Sequence, residues 1–489
     1  MTPNSTPVIA TSLPVTSQRR LIATRALLAL ASLLSCLALI GLIGGRLERH
    51  LWQPMTGATA ERLVGLASAC WCAWALLRRR HTWSTIALPL CLGVLAFYLI
   101  DGRELFSTDN LPANRIAAMV LRSGSVTFDG DWEVQQAGDH LPYWFVRSRG
   151  HVYSRYPIAS GLLALPVFVP SIVGGGSASV FPHLGKVGAA ILTAIGVALL
   201  FLAMRTLISA RAAAAAALVY ATCTAAFPLL SQSIWQHTGS ALALAFGLYA
   251  LFALEGRRRA ACVAVAAALM VLCRPVDALL GMGLVGALLV LDTRWETALI
   301  AAFVGAAAVS PMAFYNWVDF GAPWHTGYGA EASEGWTTPF AQGFSGLLFS
   351  PARGILLYCP FLIFAGIGLA EPSLASRQTW AVRVLGISAA GFILLMSKWW
   401  AWSGAWCAGP RMLSETLPIW MLGFGLIFER MLTTKLRRVA LVASIAVAAM
   451  CHLLLVFGPS APAYQDLIIH PEPWNVRAYP PLALWTTLR

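Results

Sequence analysis

Apolar residues run along this chain in blocks, and short polar stretches punctuate them. Such blocks recur at 21–44, 62–77, 84–100, 185–205, 212–230, 238–254, 260–273, 276–291, 296–317, 355–370, 382–397, 413–429 and 438–457. Long apolar runs poor in charge predict membrane-crossing helices, each of about 20 residues when it stands perpendicular to the bilayer. Arg274-Pro275 divides the stretch 260–291, and proline disfavours helix at the residue before it, so two short passes around a turn are expected there. The block 158–174 differs from the rest. It is short, and it contains Pro166 and Pro170. Proline inside a helix costs about 3 kcal/mol, so this block is expected to lie along the membrane or to re-enter it. A proline-kinked crossing is the alternative.

Charge decides between the two. If 158–174 does not cross, Arg205, Arg211, Arg257, Arg258, Arg259, Arg294, Arg377, Arg383, Arg430, Lys435, Arg437 and Arg438 share one side of the membrane. Lys186, Arg274, Arg353, Lys398, Arg411, Arg477 and Arg489 share the other. Basic residues gather on the cytoplasmic side, so the larger set is placed inside. Arg46, Arg49 and Arg62 run against this trend and are opposed by Arg78-Arg79-Arg80. The expected layout is a cytoplasmic tail (1–20), an N-terminal transmembrane hairpin (21–80) and a larger transmembrane domain (81–457). Its large outer loops are 101–184, 318–354 and 398–412, and the tail 458–489 is also outside. The first apolar run is too long for a secretory signal and ends in GGRLER, so it reads as an uncleaved span.

Composition agrees. The chain of 489 residues is 58% hydrophobic and 11% charged, with a mean hydropathy of +0.70, whereas soluble domains carry about 25% charged residues. The fold class is therefore an all-α polytopic membrane protein of about thirteen helices. The net charge of +13 does not indicate nucleic acid as a partner, because the arginines sit in small groups between apolar runs. Most of the ten cysteines lie inside those runs, and no pair of CxxC motifs suggests a zinc site. Cys359 and Cys407 are a candidate disulfide pair with nothing further to support it.

Candidate chemistry collects in the outer loops. Seven of the 21 acidic residues (Asp101, Glu104, Asp109, Asp129, Asp131, Glu133 and Asp139) fall in the first. In STDNLPANR, Asn110 can cap a helix and Pro112 is tolerated in its first turn. Ile116, Met119 and Val120 then form an apolar stripe, which predicts an amphipathic helix on the membrane surface. Asp109 is either that helix's cap or a site carboxylate. Arg155, before Tyr156-Pro157, is either a snorkelling cation or a contact for an anionic lipid head. Arg274, Arg353, Lys398 and Arg411 are further cations near span ends. In KWWAWSGAWCAGPR, Trp399, Trp400, Trp402 and Trp406 form an interfacial belt or stacking surfaces for sugar rings. Phe344 to Phe349 reads as another surface helix, and His237 as a hydrogen-bonded structural histidine or a metal ligand.

The order of these features resembles the GT-C superfamily of integral-membrane glycosyltransferases, in particular bacterial relatives of protein O-mannosyltransferases and aminoarabinose transferases. It runs from a span to the outer TDN, an amphipathic helix and then the non-crossing segment SRYPIASGLLALP. The match covers most of the chain from about residue 84 onward, and the first two spans look like an added hairpin. The resemblance implies a polyprenyl-phosphate-linked sugar as donor and inversion at the anomeric carbon. The acceptor would be a glycan, lipid or protein on the periplasmic face of a bacterial inner membrane. It makes Asp109 the general base and Arg155, Arg411, Arg274, Arg353 and Lys398 contacts for the donor phosphate. Asn110, Tyr156, His237, Trp399, Trp402 and Trp406 would meet sugar or acceptor. Several relatives carry a second acid where this chain reads WQH, so a divalent metal as cofactor stays open and its ligands unassigned. A flippase for lipid-linked sugar and a surface-glycan polymerase or ligase are the other readings.

Overall fold

The computed structural model describes residues 15–43, 57–78, 86–101, 105, 107–176 and 178–488. The tail before Val15, Arg46, Arg49, Arg79, Arg80, Glu104 and Arg489 lie outside the described residues. Helices α1 (Val15–Ile43) and α2 (Gly57–Arg78) pack together, and α3 (Ala87–Leu99) packs on α2. Next come α4 (Leu111–Ser123), α5 (Trp132–Ala137), a hairpin of β1 (Phe145–Ser148) and β2 (His151–Ser154), α6 (Ala159–Leu163) and α7 (Leu165–Val173). The bundle continues with α8 (Phe181–Met204), α9 (Ala210–Thr222), α10 (Gln236–Ala253), α11 (Gly256–Cys273), α12 (Ala278–Leu291) and α13 (Trp295–Phe320). Beyond it lie the short α14 (Glu331–Glu334), α15 (Phe340–Phe349) and α16 (Ile355–Tyr358). The chain ends with α17 (Leu362–Ala370), α18 (Ser376–Met396), α19 (Leu417–Met431), α20 (Lys435–Phe457), α21 (Pro462–Ile469) and α22 (Pro480–Thr487).

The molecule is an all-α membrane bundle. Among the described residues, α8, α13, α18 and α20 are long and apolar enough to cross a membrane by length and composition. On α13 only Thr297, Ala301 and Asn316 are buried, and Phe303 and Phe314 are largely exposed. Trp295 and Trp317, both more than half exposed, mark its two ends. Their 22-residue separation corresponds to a rise of about 33 Å, close to the ~30 Å hydrocarbon thickness that aromatic belts bracket.

Proline shapes the departures from the expected spans. The block 212–230 is α9 followed by a π-helical turn over Ala226–Leu230 that contains Pro228. The block 355–370 breaks into α16 and α17 around Pro360, which has no N–H to donate. The segment 158–174 is α6 and α7, of five and nine residues, broken at Ala164 ahead of Pro166. At 1.5 Å per residue neither piece could cross a bilayer. Both pack against α4.

The β-hairpin is the one element type the apolar pattern does not foretell. Its turn, Arg149-Gly150, has positive φ at both residues (48° and 85°), the geometry of a tight two-residue hairpin. Asp129 accepts from the Val152 N–H (2.8 Å), and Tyr153 donates to Asp319 at the end of α13 (2.8 Å). The first large loop is thereby tied to α13. Loops rich in arginine meet elsewhere: Ser209 bonds Glu429, Arg430 pairs with Glu371, and Arg377 donates to the Leu291 carbonyl. Cys359 and Cys407 are free thiols, both buried, so the candidate disulfide is absent.

Candidate active site

A 3-10 turn over Thr108–Asn110 leads straight into α4, and this moves the helix cap upstream. The Ser107 side chain accepts from the Asp109 N–H, and the Asn110 side chain accepts from the Ser107 N–H at 3.4 Å. Asn110 is buried and also accepts from Asn114, so it braces the turn and does not line the cavity. Ile116 and Met119 are buried beneath α4, as its apolar stripe predicts.

Asp109 caps nothing: among the described residues no backbone N–H donates to its carboxylate. One oxygen accepts from the Tyr143 hydroxyl (2.6 Å) and the Tyr156 hydroxyl (3.0 Å). The other accepts from Arg411 Nη1 at 2.7 Å. Tyr143 has a single hydroxyl hydrogen, so Thr108 Oγ1, 2.6 Å away, donates to it. Burial pushes the Asp109 carboxyl up, but Arg411 and the two tyrosines outweigh it and hold the group below its ordinary value. Burial, then the bond to Asp109, pushes Tyr143 up to about 12. Burial and the negative charge on Asp109 raise Tyr156 further. The carboxylate is therefore ionised and its phenolic partners are neutral at physiological pH.

Asp109 opens into a cavity of about 580 Å³. The loop 101–184 supplies Asp109, Tyr143, Arg155 and Tyr156 to its wall. The loop 318–354 supplies Trp324, Tyr328, Glu331 and Trp336, and the loop 398–412 supplies Trp399, Trp400, Trp406 and Arg411. Gln236 at the start of α10 and Arg274 in the turn after α11 complete the floor. The three loops predicted to share one face thus converge on one chamber. Gly327 makes this possible: a Cβ there would lie 2.5 Å from the Ser154 carbonyl oxygen and 2.8 Å from Arg155 Cα, so only glycine lets the second loop reach the first.

Each cation in the wall is held differently. Arg411 is bound to Asp109 and lies over the Trp235 ring, 4.8 Å from its centroid. Arg155 Nη2 donates to Glu331 Oε2 at 2.6 Å, and its Nη1 to the Tyr143 carbonyl at 3.3 Å. Arg274 is anchored from behind by Glu415 and by Asp277 (3.7 Å). Glu415 is itself bonded to His237 Nδ1 at 3.0 Å. His237 is fully buried behind the chamber and does not line it.

Of the expected site residues, the chamber gathers Asp109, Arg155, Tyr156, Arg274, Trp399, Trp406 and Arg411. Asn110, His237, Arg353, Lys398 and Trp402 are not in its wall. Arg353 is buried, and its guanidinium donates to the carbonyls of Ala352, Ile468, Ile469 and, at 2.9 Å, Ala405. Ala405 has φ 49°, a conformation that costs a non-glycine residue energy, and this bond fixes it in the wall. Trp402 is buried against α15, where Gly346 makes room for its ring. Tyr143, Glu331 and Trp336 carry no signal of this kind in the sequence. Nothing local separates Glu331 from Glu334 in AEASEG, and only the folded loop brings it to Arg155.

No family model matches the chain, and no curated protein sequence matches it. Among solved structures, the crystal structure of ArnT from Cupriavidus metallidurans bound to undecaprenyl phosphate shares its fold, with a TM-score of 0.52. The alignment covers 79% of this chain and 69% of that one at 15% identity. At that identity the likeness is one of architecture alone.

Proposed function

We propose that the chain is an integral-membrane glycosyltransferase that moves a sugar from a polyprenyl phosphate to an acceptor hydroxyl, with inversion, on the periplasmic face of a bacterial inner membrane. One observation carries this reading. An ionised carboxylate, Asp109, stands in a tryptophan-lined chamber with Arg155, Arg274 and Arg411. It does so in the fold of a protein solved with undecaprenyl phosphate bound.

The chemistry suits one base and several cations. The acceptor oxygen attacks the anomeric carbon from the face opposite the phosphate, and its proton passes to Asp109. The bond from the anomeric carbon to the phosphate oxygen breaks, and its electron pair leaves on the phosphate. A phosphate leaves as a stable anion, so it needs positive charge where a glycosidase supplies an acid. Arg155, Arg274 and Arg411 are the groups in the wall that provide it.

All of Asp109's close partners are donors, which makes it a weak base. A phosphate that draws Arg411 toward itself frees one carboxylate oxygen and raises its basicity. Donor binding thus prepares the base. The residues present do not suit a divalent metal. Among the described residues no three His, Cys, Asp or Glu side chains cluster as a cage, and both chamber carboxylates are paired with guanidinium groups.

Asp109→Asn keeps the shape and removes the base. It is expected to lower sugar transfer from an undecaprenyl-phosphate-linked sugar by about 10²–10⁴-fold, read by mass spectrometry of the product, while the protein still inserts and folds. Full activity in this variant would refute the base assignment. Movement of the lipid-linked sugar across vesicles without transfer would favour a flippase.

A further inference from the structure

We infer that Glu331 is the sugar-reading carboxylate of the chamber, freed for that task when the donor phosphate takes its partner Arg155. The inference rests on the donor-lipid reading above and assigns a residue that reading leaves unused.

The two oxygens of Glu331 are held by different kinds of partner. Oε2 accepts from Arg155 at 2.6 Å, and Oε1 accepts from the Trp400 indole N–H at 2.9 Å. A phosphate competes directly for the guanidinium. The pair is open to such exchange, since the Arg155 and Glu331 side chains are 31% and 20% exposed, and partly exposed pairs are weak. The indole belongs to a strap that does not swing away. The Trp400 backbone N–H donates to the Gly335 carbonyl (2.7 Å), and Thr338 donates to the carbonyls of Lys398 (3.0 Å) and Trp399 (2.8 Å). When Arg155 turns to phosphate, Glu331 stays in the wall with Oε2 bare. A half-buried carboxylate oxygen without a donor is costly. The group that follows the phosphate into the chamber is the sugar, whose hydroxyl or amino hydrogens are the donors at hand. Trp336, Trp399 and Trp400 offer flat faces for its ring beside that oxygen. Asp109 does not serve this purpose, because the oxygen that Arg411 leaves is the one that takes the acceptor's proton.

Glu331 then pulls two ways, against the bare lipid and toward the glycosylated one. The probes are undecaprenyl phosphate alone and the same lipid carrying glucose, mannose or 4-amino-4-deoxyarabinose, titrated into the full-length protein in nanodiscs. Glu331→Gln is nearly isosteric and sits in a loop, and a melting curve checks its folding. It is expected to bind bare undecaprenyl phosphate about 2- to 5-fold more tightly, since Arg155 is no longer contested. Its preference for the best glycosylated lipid over the bare one is expected to fall by about 10-fold or more. In an Arg155→Gln background the tightening should vanish, while the loss of sugar preference should persist. Weaker binding of the bare lipid by Glu331→Gln, or an undiminished sugar preference, would overturn the inference with the donor-lipid reading intact. Failure of the wild-type protein to bind undecaprenyl phosphate at all would overturn that reading and the inference with it.

Discussion

Asp109 and Arg411 lie 302 residues apart in sequence and form a 2.7 Å ion pair, and their coupling sets the pH behaviour of the site. The folded-state value of Asp109 is depressed below its ordinary 3.8. Its contribution to stability is therefore present above the unfolded value and is lost as pH falls through the folded one. The acid limb of kcat/KM, which reports the free enzyme, should lie below pH 3.8. Arg411→Gln removes the opposing charge and leaves burial to dominate. The acid limb should then move toward neutrality, and kcat/KM should fall by about 10²–10³-fold. A pH–rate profile unchanged in this variant would contradict the assignment. At this scale a place in the chamber wall was legible where a charged residue stands between apolar blocks, as with Asp109, Arg155, Arg274 and Arg411. Arg353 has the same signature, yet its guanidinium is spent on backbone carbonyls. Type and position cannot tell a cation that meets a ligand from one that braces a loop.

Elements were legible wherever apolar pattern and proline agreed. The turn at Arg274-Pro275 separates α11 from α12 as expected, and the block around Pro166 fails to form one long helix. The hairpin β1–β2 was not legible, since two four-residue strands in a polar loop are too short to show an alternation. Docking of one loop on another leaves still less trace, and here it depends on Gly327. Gly327→Ala would push a Cβ against backbone atoms of Ser154 and Arg155 that cannot give way like a flexible side-chain end. Overpacking of this kind costs about 1–3 kcal/mol. It would displace Tyr328 and Arg155 together, so affinity for undecaprenyl phosphate should drop by about 5- to 100-fold. Binding titration of the variant checks this, and wild-type affinity would mean that the loops dock with slack.

The whole molecule joins two parts that the sequence hints are separable, a hairpin α1–α2 and the bundle that carries the chamber. A buried ionic cluster lies at their junction. Lys186 on α8 pairs with Asp101 and, at 3.4 Å, with Glu61 on α2, while His183 lies 2.6 Å from the same Glu61. Lys186→Met would take the ammonium away from two carboxylates in a buried setting, a loss of about 3–5 kcal/mol. A large fall in thermal stability, partly recovered on adding Glu61→Gln, is the expected result; an unaltered melting curve would show the junction to be dispensable. The sequence displayed Lys186 as one more cation near a span end and gave no sign of its partners. Helix α13 presents the opposite case, having few buried residues and a tryptophan near each end. Its foothold at the chamber end is Asp319, held by Tyr153 of the β-hairpin that precedes Arg155. Packed chiefly along α11 and with most of its surface left to lipid, such a helix adjusts its tilt to the bilayer. Reconstitution in shorter- or longer-chain phosphatidylcholines should then change the transfer rate, and equal rates across chain lengths would count against it. Bilayer thickness would then be an input to the proposed reaction, delivered through one lipid-facing helix.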